Sequence, residues 1–213
     1  MQEKVISIKI TLLGNYGVGK SSIIFRYKNG SFEEDYYSTN GMSYSDKIIN
    51  RDDINYQLDI WDTAGQEKYN SLGRNFYREA YVVILVYDIT KKDSLDGLKN
   101  IWYPDLLKYG EKYKILTVVG NKSDRYREEN TVSEEEARKF ACDIKANFMI
   151  VSAKTGDNIQ NLFENLVDLY SQPNFQEQIV EEENKRKGSY KIQKKKKEEK
   201  EEKDLKEKEK KCC

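Results

Sequence analysis

The segment that most restricts the fold is the loop Gly14–Ser21, which reads GNYGVGKS. Before it, Val5–Leu13 is rich in aliphatic and β-branched residues and predicts a strand that stops at Gly14. After it, Ser21–Tyr27 carries apolar residues at helical spacing. The loop fits the pattern G-x-x-x-x-G-K-S/T in the strand–loop–helix setting that this pattern requires. The sequence therefore predicts a phosphate-binding loop, with an accidental glycine turn as the alternative.

The chemistry of such a loop follows from its backbone and two side chains. The N–H groups of the loop and of the following helix N-terminus point at phosphate oxygens. Lys20 is expected to reach the β- and γ-phosphates, and the Ser21 hydroxyl is expected to ligate Mg²⁺.

The rest of the apolar pattern predicts an α/β fold. Residues 42–49 and 54–61 predict an antiparallel pair, and the nearly continuous apolar run 81–87 predicts a central strand covered on both faces. The other predicted elements are helix 93–109, strand 115–119, helix 134–145 behind a capping box of Ser133 and Glu136, strand 148–151 and helix 159–170. Strands that alternate with helices indicate a three-layer P-loop NTPase fold, with a mostly parallel six-stranded sheet, one antiparallel strand and about five helices.

Composition excludes several classes of site and partner. The 37 basic residues balance 37 acidic ones, which argues against a nucleic-acid binder that works by bulk positive potential. With no histidine and three cysteines, a His/Cys zinc site and a Ser-His-Asp or Cys-His catalytic apparatus are excluded. Cys142 is expected to be a small buried residue of helix 134–145. No apolar run predicts a signal peptide or a membrane span, so we expect a cytosolic chain.

The charge distribution predicts a domain at 1–171 and a tail at 172–213. Residues 185–211 contain 14 Lys and Arg against 7 Asp and Glu, and residues 172–213 contain few apolar residues. This segment is expected to form no core and to act as a flexible, solvated spacer or an isolated helix with i,i+4 charge pairs. It ends in Cys212 and Cys213.

Two further motifs follow predicted strands. In Asp62–Glu67, which reads DTAGQE, Asp62 can hold Mg²⁺ through its water shell, the Gly65 N–H can approach a γ-phosphate, and Gln66 can orient an attacking water. An exposed polar turn is the alternative for this string.

Asn121-Lys122-Ser123-Asp124 follows the strand that ends at Gly120. The Asp124 carboxylate can accept two hydrogen bonds from guanine, and adenine lacks this pair of donors.

A fourth motif, Ser152-Ala153-Lys154, follows the next strand. Each short string alone also occurs in ordinary surface turns, but four in this order at the ends of successive strands indicate one nucleotide site.

Residues 5–171 resemble a Ras-superfamily small GTPase of the Rab branch. The strings that carry the resemblance are FYREA at 76–80, LVYDIT at 85–90, WDTAGQEKYNSL at 61–72 and the terminal double cysteine. The resemblance implies a GTP/GDP-controlled switch that binds Mg²⁺, hydrolyses GTP slowly with the help of a GAP, and recruits effectors to membranes in vesicle trafficking.

The resemblance also implies roles for single residues. Thr39 would close on Mg²⁺ and the γ-phosphate, Phe32 would pack against guanine, Lys122 and Lys154 would line the base, and the Ala153 N–H would meet the guanine oxygen. Gln66, Lys20 and Thr39 are the predicted catalytic residues, and Ser21, Thr39 and Asp62 are the predicted metal ligands. The predicted nucleotide-binding set is Asn15, Tyr16, Gly17, Val18, Gly19, Lys20, Ser21, Ser22, Phe32, Thr39, Gly65, Asn121, Lys122, Asp124, Ser152, Ala153 and Lys154.

The implied partners are guanine nucleotide, an exchange factor, a GAP, an escort protein or GDI, and effectors. The chain is expected to be a monomer that binds no nucleic acid. Prenylation of Cys212 and Cys213, helped by the basic tail, would anchor it to the cytoplasmic face of an endomembrane, from which it would cycle to the cytosol.

Two departures from the Rab pattern bear on function. Residues 39–44 read TNGMSY where the family usually reads TIGVDF, so Asn40 lies on the expected effector surface and the resemblance implies no particular effector. Tyr16 stands where a small residue is usual, and we hypothesise that it crowds the space used by Gln66 and slows hydrolysis. The alternative is a ring that turns to solvent or stacks over the nucleotide.

Two other functions compete with the switch. A P-loop nucleotide kinase would share Lys20 and Ser21, but it needs an arginine-rich lid that the sequence does not show. A GTP-bound scaffold with poor hydrolysis is favoured by Tyr16 and opposed by the intact Gln66.

Overall fold

Six strands form a single sheet in the computed structural model, which describes residues 5–34, 42–63, 80–110, 113–126, 132–173 and 175. In chain order the strands are β1 (Val5–Leu13), β2 (Met42–Arg51), β3 (Ile54–Thr63), β4 (Val82–Asp88), β5 (Ile115–Asn121) and β6 (Asn147–Ile150). Their order across the sheet is β2-β3-β1-β4-β5-β6. β2 pairs antiparallel with β3, and the other pairs are parallel.

Four helices accompany these strands within the described residues. They are α1 (Lys20–Asn29), α2, α3 (Glu134–Asp143) and α4 (Ile159–Ser171). Helix α2 is continuous but changes its winding, from α-helix at Lys92–Gly97 to π-helix at Leu98–Trp102 and back to α-helix at Tyr103–Tyr109. A single 3₁₀ turn, Ser123–Arg125, follows β5. This arrangement confirms the predicted mostly parallel α/β fold.

The core lies on both faces of the central strands. Every residue of β4 and β5 is buried, as the apolar run 81–87 predicted for a strand between two helix layers. On one face Leu85 and Val118 pack with Leu98 of α2 and Phe140 of α3. Elsewhere in the same unit, the rings of Tyr27 and Phe163 join α1 to α4, stacked at 3.8 Å between centroids.

The predictions for helix α3 need correction at both of its ends. The helix ends at Asp143, two residues earlier than predicted, and Lys145 adopts a left-handed φ of 55°. Ser133 caps it, accepting a hydrogen bond from the Glu136 N–H at 3.5 Å. The Glu136 carboxylate accepts from Lys92 and Lys99 of α2, so the predicted capping box forms only on its serine side.

The prediction that Cys142 is buried is wrong. Its side chain is exposed, while Ala137, Phe140 and Ala141 form the buried face of α3. Each residue turns about 100° around a helix axis, so the position after Ala141 points away from the core.

The chain divides into two units, Met1–Asp168 and Leu169–Cys213. In the second, the described residues are 169–173 and 175, where the Tyr170 and Phe175 rings lie 5.4 Å apart. No described helix has the length and apolarity that a bilayer span requires. Most of the predicted tail 172–213, with its terminal cysteines, lies outside the described residues, so the division at residue 171 stays a prediction.

Candidate functional site: a phosphate loop joined to the ends of three strands

A buried cation occupies the centre of the loop between β1 and α1. Lys20 Nζ donates to the carbonyl oxygens of Gly14 at 2.8 Å and Asn15 at 3.1 Å. The side chain is almost fully buried, and burial lowers the pKa of Lys20 to about 8 although Asp62 acts in the opposite direction. The loop therefore closes around the ammonium group that was predicted to meet phosphate.

Two glycines make this loop geometry possible. Gly14 has φ 146°, and a Cβ there would lie 2.1 Å from the carbonyl oxygen of Val86. Gly19 has φ 94°, and a Cβ there would lie 2.3 Å from the Asn121 amide nitrogen. Both positions exclude a side chain by backbone conformation and by space, so the glycines of the motif are structural requirements.

Two predicted metal ligands meet next to Lys20. Asp62 lies near the end of β3, beside Leu12 of β1 in the parallel register, and it is buried. The Ser21 hydroxyl donates to its Oδ2 at 2.5 Å. An alcohol oxygen and a carboxylate are the kind of ligands that Mg²⁺ takes in proteins, so this pair fits the predicted metal site.

The motif after β5 is tied directly to the phosphate loop. Buried Asn121 donates through Nδ2 to the Val18 carbonyl at 2.9 Å and accepts through Oδ1 from the Ala153 N–H at 3.1 Å. Lys122 Nζ donates to the Gly17 carbonyl at 2.8 Å. Three motifs that are distant in sequence are therefore joined into one site.

The predicted base-reading carboxylate is held by the motif after β6. The Ser152 hydroxyl donates to Asp124 Oδ1 at 2.6 Å and accepts from the Thr155 N–H at 3.1 Å. Nearby, Lys154 Nζ lies 3.0 Å from Glu34 Oε1, on the segment that also carries half-buried Phe32. This end of the site therefore joins Asp124 to Ser152 and places Lys154 beside Glu34.

A family model described as the Ras family matches residues 9–172. The chain belongs to the Ras family. The Ras-related protein Rab-26 of Rattus norvegicus is 36% identical over 159 residues, which cover 74% of this chain and 61% of that protein. Rab5 of Nicotiana tabacum is 39% identical over 158 residues, covering 74% and 78%. Rab-3A of Homo sapiens is 39% identical over 161 residues, covering 76% and 72%.

These similarities confirm the resemblance to a Rab-type small GTPase. The chain nevertheless spans less than two thirds of the length of the mammalian Rab-26 proteins that it matches.

In this Ras-family protein, Arg26 is a contributor that the sequence did not reveal. From α1 its guanidinium donates to the carbonyls of Ala153 at 2.8 Å and Gly30 at 2.8 Å, and also to that of Lys154. It fixes the loop that presents the Ala153 N–H and the Lys154 side chain. No local pattern marks this role, because the Ala153 carbonyl that it holds is 127 positions away.

Asp88 is the second missed contributor. At the end of β4 its fully buried carboxylate lies 2.7 Å from Lys122 Nζ and accepts from the Thr90 N–H and hydroxyl. Burial alone would raise the pKa of Asp88, but the hydrogen bonds from Lys122 and Thr90 outweigh it and hold the pKa below its usual value. The LVYDIT string contains Asp88, yet the string alone does not show that its carboxylate orients Lys122.

Tyr16 and Ser22 complete the described part of the predicted set. The Tyr16 side chain is 62% exposed on the loop, and Ser22 is half-buried in the first turn of α1. The remaining predicted site residues lie outside the described residues, and they are Thr39, Gly65, Gln66, Cys212 and Cys213.

Proposed function

We propose that this protein is a GTP/GDP-controlled switch that binds guanine nucleotide with Mg²⁺, hydrolyses GTP slowly and recruits effectors to membranes in vesicle trafficking. The observation that carries the proposal is the position of Asn121, which joins the Val18 carbonyl of the phosphate loop to the Ala153 N–H of the loop Ser152–Lys154, called the base loop from here on. A phosphate site and a base site that share a buried side chain suit one ligand containing both groups.

The two ends of the site would divide the recognition of that ligand. At the phosphate end, the loop N–H groups and Lys20 supply donors and positive charge. At the base end, Asp124 would accept from guanine N1–H and its exocyclic amine, while the Ala153 N–H would donate to the guanine oxygen. Lys122 and Lys154 would flank the ring, with Phe32 against it.

Ser21, Asp62 and Thr39 would hold Mg²⁺. Once bound, the metal would neutralise charge on the β- and γ-phosphate oxygens. Ser21 and Asp62 already lie together, with the hydroxyl donating to the carboxylate at 2.5 Å. Metal binding would replace that hydrogen bond: the Ser21 hydroxyl would bind the ion, and the Asp62 carboxylate would hold it through its water shell.

Hydrolysis would rest on Gln66 and Lys20. Gln66 would orient the attacking water, and Lys20 would stabilise charge that develops on the phosphoryl oxygens. Contacts from Thr39 and the Gly65 N–H to the γ-phosphate would order their two segments, and loss of that phosphate would release them. A GAP would supply the missing arginine, because Arg26 is committed to the base loop through Ala153.

Membrane recruitment would come from the tail. Prenyl chains on Cys212 and Cys213 supply two hydrophobic anchors, and the local excess of lysine adds attraction to anionic lipid. We propose that the monomer cycles between cytosol and the cytoplasmic face of an endomembrane with an escort protein or GDI, and that an exchange factor reloads it. Mass spectrometry of the protein isolated from cells would show two prenyl additions at the terminal cysteines.

The exposure of Tyr16 bears on the rate of hydrolysis. Its ring is 62% exposed, in contrast to the buried Lys20 and Asp62, which supports the interpretation that the ring faces solvent. The alternative function, a GTP-bound scaffold slowed by Tyr16, requires the ring to enter the space near Gln66 when nucleotide is bound.

Single-turnover hydrolysis of preloaded GTP by the full chain tests the proposal, with wild type beside Gln66→Leu and Tyr16→Ser. We expect slow but measurable turnover by wild type and none by Gln66→Leu. A faster Tyr16→Ser variant would show that the tyrosine acts as a brake. If wild type retains GTP but hydrolyses it no faster than Gln66→Leu, the protein is a scaffold.

A further inference from the structure

Helix α2 makes two hydrogen bonds to the side chain of Asn15, the second residue of the phosphate loop. The Trp102 indole N–H donates to Asn15 Oδ1 at 2.7 Å, and Asn15 Nδ2 donates to the Asp93 carbonyl at 3.4 Å. These contacts span 87 and 78 positions in sequence and reach the loop from two different turns of one helix.

Gly97 creates the space for this contact. Its φ of −59° and ψ of −40° are ordinary helical values, so no unusual backbone angle requires glycine there. A Cβ at Gly97 would instead lie 2.4 Å from Asn15 Oδ1 and 2.6 Å from Nδ2. Glycine inside a helix lowers helix stability relative to alanine. At position 97 this loss of stability accompanies the close approach of Asn15.

The π-helical segment begins immediately after this glycine and ends at Trp102. A π-helical turn takes up an extra residue, which rotates everything after it around the helix axis, and such turns are frequent at functional sites. Trp102 is 4% exposed, and a buried indole N–H needs an acceptor. Asn15 supplies that acceptor.

Asn15 passes this constraint to the centre of the site, because its backbone carbonyl accepts from Lys20 Nζ at 3.1 Å. We propose that Trp102 is a positioning residue that acts through Asn15 to hold the phosphate loop closed around Lys20, and that it thereby slows release of bound nucleotide. This inference rests on the proposed guanine-nucleotide binding. A purely structural role for the indole would affect unfolding of the protein without affecting nucleotide release.

The test is the release rate of fluorescent N-methylanthraniloyl-GDP from the full chain in Mg²⁺, chased with excess GDP. Trp102→Phe and Asn15→Ala each remove one partner of the hydrogen bond, and each is expected to speed release about three- to tenfold. The double variant should release no faster than the faster single variant, because both changes break one contact. Trp61→Phe is the matched control, since Trp61 of β3 packs against Tyr44 of β2, and its release rate should stay within about twofold of wild type.

Gly97→Ala separates positioning from stability. Alanine favours the helix, but its Cβ would displace the Asn15 amide from Trp102, so release should again be about three- to tenfold faster. This variant and Asn15→Ala keep the test valid if Trp102→Phe does not fold. Wild-type release rates in both of them, or additive effects in the double variant, would overturn the inference.

Tryptophan emission gives a readout that is independent of release. The chain has two tryptophans, so Trp61→Phe leaves Trp102 as the only one. Its emission should change when GDP is added to nucleotide-stripped protein, and unchanged emission would overturn the inference. A wild-type protein that does not retain GDP at all would overturn the proposed function itself, whereas retention with unaffected variants would overturn this inference alone.

Discussion

The phosphate end and the base end of the site are built in different ways. At the phosphate end, the backbone of one loop surrounds the buried Lys20, and Gly14 and Gly19 provide the space. At the base end, side chains from separate elements make the contacts: Asp88 at the end of β4 pairs with Lys122, which follows β5, and Arg26 of α1 donates to carbonyls of the base loop. The first arrangement is specified by a short local sequence, and the second is specified by pairs that are distant in sequence.

This difference determines how each end responds to change. The stability of a loop that closes around one buried amine should depend on whether that amine is protonated and on any side-chain volume added to the loop. In a network of separate contacts, the effect of substituting one partner should increase with the burial of its pair, because exposed ion pairs contribute little and removing one partner of a buried pair costs more.

The largest expected effect concerns the protonation of Lys20. Its pKa is lowered from 10.5 to about 8 by burial, so above pH 8 the unfolded chain binds more protons than the folded one and stability rises with pH. Between pH 7 and 10, the free energy of unfolding of wild type should rise by about 2 kcal/mol relative to Lys20→Met. Denaturant titrations of both proteins across this range measure it. Parallel pH profiles would show that the lysine is not buried as described.

Asp88→Asn, at the base end, should have an effect of similar size. Removing a fully buried charge that pairs with the partly exposed Lys122 should lower the free energy of unfolding by about 2 kcal/mol at pH 7. Because the pKa of Asp88 is held below its usual value, this contribution is present at neutral pH and is lost as the pH falls through the folded-state pKa. Asp143→Asn, at an exposed position, is the control. A difference from wild type that persists undiminished in acid would contradict the ion-pair assignment.

Arg26→Ala tests the contacts between α1 and the base loop. Loss of the donors to the Ala153, Lys154 and Gly30 carbonyls should speed GDP release about tenfold. Lys28→Ala removes an exposed cation from the same helix and should leave the rate within about twofold of wild type. Equal rates for the two variants would mean that the base loop holds its shape without Arg26.

The smallest effect is expected from Glu34→Gln. Glu34 and Lys154 form an ion pair at 3.0 Å, but both side chains are exposed. Such pairs contribute little and are screened by salt, so GDP release should change by less than about twofold at 0.15 M salt. Release measured at low and high salt checks this, and a large, salt-insensitive change would place this pair among the buried contacts of the base end.

The sequence predicted the locally encoded parts of the molecule well. The phosphate-loop pattern around Lys20 and the fully buried strand β4 were predicted from short patterns, because each depends on residues adjacent in sequence. Ser21 and Asp62 were predicted as metal ligands, and their direct hydrogen bond was not predicted. The prediction for Cys142 failed because it relied on the residue type, which is often buried, whereas the helical periodicity of α3 places that position on the solvent-exposed face.

The contacts that join distant elements were not predictable in the same way. Trp102 meets Asn15 at the end of a π-helical segment, and no local rule for helices indicates such a segment. Arg26 is an unremarkable cation of α1 until the fold brings the base loop to it. Contacts of this kind can be identified only when the three-dimensional arrangement of the strands and helices is known.

Equilibrium binding of GTP and ATP to the full chain in Mg²⁺, for wild type and Asp124→Ala, decides whether this end of the site recognises guanine. We expect wild type to bind GTP at least about 1,000-fold more tightly than ATP, because adenine lacks the pair of donors from which Asp124 accepts. Asp124→Ala should lose most of this preference, mainly through weaker GTP binding. Equal affinity of wild type for the two nucleotides, or an unchanged preference in the variant, would contradict the assignment of this end of the site to guanine.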